Sequence, residues 1–122
     1  MGDYQVPAQY LLSHISKVKI LKAPKITNKT LELGCKYSPD FVCMPFKYTL
    51  GTFLECLEMG ANVLIQAGGG CRYGYYFELQ MQILKDLGYS FTYINLVSKG
   101  KENVKKIYKD LKQINPKLSW IK

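Results

Sequence analysis

Arginine is almost missing from this chain of 122 residues: of its seventeen basic residues only Arg72 is one, and the other sixteen are lysines. The guanidinium is the group suited to bidentate contacts with phosphate and guanine. The formal net charge of +8 suggests phosphate neutralisation and counterion release, but without arginine it is read first as a solvated lysine face. Eight of the lysines fall between Lys99 and Lys122, so the basic character is largely C-terminal and nucleic acid is not the expected partner. Histidine is as scarce. His14 stands alone in the N-terminal segment, which leaves no evident base for Cys–His nucleophilic catalysis. The cysteines, Cys35, Cys43, Cys56 and Cys71, are irregularly spaced and contain no CxxC, which argues against a secreted disulfide scaffold and against paired zinc ligands. Long apolar runs are missing too. The longest, Ala61 to Ala67, is too short to cross a bilayer. Met1-Gly2-Asp3-Tyr4 has neither a basic n-region nor an h-region, and Val6 stands where a myristoylation motif wants Ser or Thr. These absences predict a cytoplasmic protein with reduced thiols and no membrane segment.

What is present is enough for a core: 48% of the residues are hydrophobic and 21% charged, at a length that suits one domain over 1–122. Residues 1–16 carry little pattern, although Tyr10, Leu11, Leu12 and Ile15 suit a short helix or a docking segment. Lys17 to Leu21 alternates Val18 and Ile20 with lysines and predicts a strand ended by Pro24. Asn28 to Cys35 predicts a short helix with Leu31 on its buried side, and Tyr37-Ser38-Pro39-Asp40 a turn. Phe41 to Lys47 is apolar but broken by Pro45, which predicts a strand end or a buried loop. A helix is expected from Thr52, where Thr52 and Glu55 have capping-box spacing, to Gly60. A buried strand over Ala61–Ala67 then enters Gly68-Gly69-Gly70-Cys71-Arg72-Tyr73-Gly74. A helix from Tyr76 to Leu87 capped by Gly88, a strand over Ser90–Val97 and a lysine-rich helix from Asn103 to Ile114 complete the pattern. This alternation predicts an α/β, Rossmann-like layered fold with a small, mainly parallel sheet, in which Lys17–Leu21, Ala61–Gln66 and Ser90–Val97 are parallel neighbours.

Chemistry concentrates at the glycine-rich strand-to-helix turn, where backbone N–H groups can approach a ligand and a helix N-terminus favours negative charge. It fails the nucleotide fingerprints. Gly68 and Gly70 would need glycine at position 73, which is Tyr, and Gly69-x4-Gly74 runs into Tyr75 and Tyr76 rather than Lys and Ser. A tight turn serving only strand–helix packing is the structural alternative. Cys71 at that helix N-terminus beside Arg72 is expected to have a depressed thiol pKa, which suits a metal ligand or a nucleophile. Cys43, in the proline-bent segment before a helix, is its natural companion, though a free cysteine also serves as a small buried hydrophobe. Cys56 reads as core and Cys35 as structural.

The stretch Leu33-Gly34-Cys35-Lys36-Tyr37-Ser38-Pro39-Asp40-Phe41-Val42-Cys43-Met44-Pro45-Phe46-Lys47, then Gly51, Glu55, Gly60-Ala61 and Gly68-Gly69-Gly70-Cys71-Arg72-Tyr73-Gly74-Tyr75-Tyr76, resembles the 2-hydroxyacyl-CoA dehydratase and acyl-CoA dehydratase activase-related family. The resemblance covers roughly Pro24 to Val97. It implies a [4Fe–4S] cluster held by cysteines from separate α/β segments, with an ATP-dependent activator supplying one electron so that a 2-hydroxyacyl-CoA can lose water. By resemblance Cys43 and Cys71 are cluster ligands, and Lys47, Gly69, Gly70, Arg72 and Tyr73 face an acyl-CoA thioester, sulfide or phosphate. Lys47 as a solvated lysine and Tyr73 as packing beneath the turn are the structural readings of the same residues. Family members are longer and carry a further α/β domain with additional cysteines, so the resemblance implies a site completed by another domain or a partner subunit. The rival expectation is a non-enzymatic module that binds an anion or a partner with its cysteines free.

Overall fold

The computed structural model describes residues 5–15, 18–66, 76–96 and 101–119. In chain order its elements are α1 (Gln5–Ile15), α2 (Asn28–Tyr37), α3 (Met44–Glu58), β1 (Val63–Gln66), α4 (Tyr76–Asp86), β2 (Thr92–Asn95) and α5 (Lys101–Ile114). The architecture is mixed α/β around a two-stranded parallel sheet.

Helix α2 starts where Thr27 takes an extended conformation and its hydroxyl accepts from the Thr30 N–H, while Thr30 Oγ1 accepts from the Thr27 N–H at 3.0 Å. This reciprocal cap satisfies two helix-end donors. The faces of α2 and α3 that meet are small. A Cβ placed on Gly34 would run into the carbonyl oxygen of Lys47, and one on Gly51 into that of Thr30. The two helices therefore cross with their backbones in contact. Thr30, wholly buried at this crossing, donates to Glu55 Oε2 at 2.7 Å. The buried side of α2 is accordingly Thr30 and Gly34, whereas Leu31, expected there, is half-exposed.

Helix α3 supplies most of the core: Phe46, Leu50, Phe53, Leu54, Cys56 and Leu57 join Leu64 of β1 and Leu84 of α4. It begins eight residues before the expected Thr52 (52 − 44), because Pro45 sits in its first turn, where a missing N–H costs no helix bond. Phe41–Lys47 is thus neither strand end nor buried loop; Phe41 is 87% exposed. Thr52 lies mid-helix and donates to the Tyr48 carbonyl at 2.8 Å rather than capping anything. Gly60, at φ 91°, follows the helix end as expected, and Gly88, at φ 86°, does the same after α4.

Strands β1 and β2 pair in parallel, Val63 with Thr92 through Gln66 with Asn95, with α4 between them in sequence. The expected parallel pairing of these two runs is therefore what the structure has, over shorter spans. The expected strand at Lys17–Leu21 is corrected: residues 18–21 lie in no strand, and Val18 and Lys19 are exposed. Alternation gave the pattern, but a strand also needs a paired edge, and none of the described residues provides one.

Candidate functional site

The first turn of α3 and the first residue of α4 come together at Cys43. Cys43 is the extended N-cap residue of α3, exposed, and its carbonyl accepts from the N–H groups of Phe46 and Lys47 at 3.1 and 3.3 Å. Its sulfur lies 3.0 Å from the hydroxyl of Tyr76. The Tyr76 ring packs edge-on against Phe46, with centroids 5.1 Å apart, and one turn later Gln80 Nε2 donates to the Phe46 carbonyl at 3.2 Å. Phe46 and Gln80 are buried. Helix α4 is thereby keyed onto the start of α3, and the phenol is held against the thiol by buried neighbours.

The electrostatics shift Cys43 toward the thiolate. The hydrogen bond with the Tyr76 hydroxyl lowers the Cys43 pKa most, since a phenol can donate to the thiolate, and the Phe46 backbone N–H at the helix start adds to it. Cys56, on the same helix, is the reverse: burial first, then the neighbouring Glu55 charge, push its thiol up. That fits its expected place in the core. Cys35, expected to be structural, is exposed on α2.

Lys47 lies one helical turn beyond Cys43. Its side chain is half-buried, and its backbone carbonyl forms the crossing with Gly34. Gly69, Gly70, Cys71, Arg72 and Tyr73 lie outside the described residues. The glycine-rich segment is bracketed by two described residues, Gln66 before it and Tyr76 after it. Gln66 accepts from the hydroxyl of Tyr93, a residue half-buried among Phe53, Phe77 and Phe91, whose pKa is raised by burial and by Glu78. Gln66 and Asn95 close the carboxyl ends of the two strands, the edge at which open α/β sheets receive ligands.

Sequence reasoning missed Tyr76 as a partner of Cys43, and Gln80. The signal was available: Tyr76 and Gln80 are four apart on one helix face and both are polar on an otherwise apolar side. Among the described residues no three His, Cys, Asp or Glu side chains lie together as a metal-holding group. None of the described helices is long and apolar enough to cross a membrane. Compared with known protein families, curated proteins and solved structures, the chain matches none.

Proposed function

We propose that this chain is an iron–sulfur or redox-type module related to 2-hydroxyacyl-CoA dehydratase components and their activase-related proteins, Rossmann-like in its layering, cytoplasmic, and incomplete alone. The observation that carries the proposal is the Cys43–Tyr76 hydrogen bond, because it joins the two sequence motifs on which the resemblance rests. The chemistry of the donor set supports one ligand in this chain's described residues. Cys43 is exposed with its thiol pKa lowered, which suits a soft metal; Cys56 is buried with its thiol pKa raised, which does not. Cys71 is the second ligand in this reading. When bound, a [4Fe–4S] cluster supplies one-electron transfer. The chain's own residues do the rest: Tyr76 holds the Cys43 sulfur by a hydrogen bond that favours its thiolate form, and this reading assigns Lys47, Gly69, Gly70, Arg72 and Tyr73 to the anionic or thioester part of an acyl-CoA. A four-iron cluster held by two thiolates needs more ligands, from a further α/β domain, a partner subunit or a second copy, and an ATP-dependent activator delivers the electron.

The rival reading is a non-enzymatic partner-binding or anion-binding module with free cysteines. Exposed Phe41 and Met44 on either side of Cys43 favour it. Anaerobic reconstitution of the full chain with iron and sulfide, followed by iron and sulfide analysis and EPR, separates the two. The proposal expects cluster uptake that depends on both cysteines, is lost in Cys43→Ala and in Cys71→Ala, and stays below one cluster per chain in a monomer. Uptake unchanged in both variants contradicts it, as does a stoichiometric cluster in a strict monomer, which would draw in Cys35 or Cys56.

A further inference from the structure

Among the described residues the sheet has an open edge, and a strand-patterned segment belongs to no sheet. The bonds Thr92 N–H to Asn62 O and Leu96 N–H to Gln66 O, with the parallel register, turn the backbone groups of Leu64 and Gln66 toward β2. Those of Val63 and Ile65 therefore point away from β2, and among the described residues they meet no hydrogen-bond partner. Helix α5 packs against β2. Residues 18–21 have the converse problem. They alternate Val18 and Ile20 with Lys19, belong to no strand, and make no backbone hydrogen bond among the described residues. The helix before them, α1, exposes Val6, Tyr10 and Leu11 at 65%, 70% and 57%. Val18 and Lys19 are exposed, Ile20 and Leu21 are half-buried, and beyond them Ala23 packs against the core cluster.

We infer that residues 18–21 form an exchange arm, which adds as a third, parallel strand to the Val63/Ile65 edge of β1 in a second copy, and reciprocally. The order of elements favours the parallel sense. A strand at 18–21 followed by α2, α3 and β1 is the sequence of a helical crossover, and exchange between copies reproduces the pairing such a crossover would make within one. Lys19 and Lys22 discourage two arms from pairing with each other, because like charges at a strand edge repel. The neutral edge of β1 carries no such penalty. The stretch from Lys22 to Thr27, stiffened by Pro24, is the hinge.

Light scattering across a dilution series, combined with residue-resolved amide exchange, tests this. The inference expects a dimer whose Val63 and Ile65 amides, and alternate amides of 18–21, exchange at least tenfold more slowly than in the dilute monomer, while Leu64 and Gln66 stay slow throughout. The Ile20→Pro variant, which removes one donor from the arm, is expected to be monomeric with Leu64 and Gln66 still protected, which also shows that it folds. A monomer at every concentration overturns the inference. So does protection of 18–21 that is independent of concentration, which means closure on the same chain, or a dimer in which Val63 and Ile65 exchange as fast as in the monomer. Cluster reconstitution does not enter this test, so its outcome is separate from that of the proposed function.

Discussion

Helix α3 holds two kinds of surface within one element. Its first turn presents Cys43, Met44 and Pro45 to solvent, whereas its middle, from Phe46 to Leu57, is buried against α2, β1 and α4. The same residue type behaves oppositely at the two places: Cys43 is pulled toward thiolate by a phenol and a helix-end N–H, and Cys56 is held as thiol by burial. The difference teaches that reactivity here is set by position along one helix. The packed middle fixes the helix, and the exposed end inherits that rigidity without contributing to it.

The comparison breaks if the middle tolerates change as the end does. Leu50, wholly buried, is expected to cost about 4 kcal/mol as Leu50→Ala, the transfer and cavity terms of a core leucine. Gly51→Ala is expected to cost about 3 kcal/mol, because its methyl has no room against the Thr30 carbonyl and α2 must move away. Denaturant titration measures both, and a loss under about 0.5 kcal/mol in either contradicts the close crossing. Smaller, at about 1 kcal/mol, is Thr27→Ala, which removes the cap of α2. At the exposed end, Phe41→Ser is expected to stay within about 0.5 kcal/mol, since the ring is 87% exposed.

The two thiols sharpen the comparison through the sign of their pH dependence. The raised Cys56 pKa stabilises the fold fully below the ordinary thiol value of 9.0, and this contribution is lost as pH rises through the folded value. The lowered Cys43 pKa stabilises above 9.0, and its contribution is lost as pH falls through the folded value. Measured as stability differences from Cys56→Ala and Cys43→Ala across pH, the two curves are expected to slope in opposite directions.

The β1–α4–β2 unit was legible in the sequence because its signals are local: a short apolar run, a 3.6-residue periodicity from Tyr76 to Leu84 and glycine at Gly88. The beginning of α3 was not, since Pro45 reads as a break in a strand and as a favoured first-turn residue in a helix, and only the surrounding structure decides. Gly34 and Gly51 stood in the quoted motif, yet their purpose is a contact between two helices, which one-dimensional spacing does not display. Lys17–Leu21 shows the opposite failure, a correct pattern without a partner. At the site, Cys43 was picked out by its setting beside proline, but the phenol that tunes it comes from a residue 33 positions away.

The account turns on Tyr76 lowering the Cys43 thiol pKa, and pH-resolved alkylation of the intact chain, mapped to Cys43 by mass spectrometry, tests it directly. In the folded wild type Cys43 is expected to titrate below its value in the urea-unfolded chain, and Tyr76→Phe, which removes the hydroxyl and keeps the ring against Phe46, to move that titration back up. A Cys43 that titrates alike in folded and unfolded chains, or that ignores Tyr76→Phe, contradicts the account.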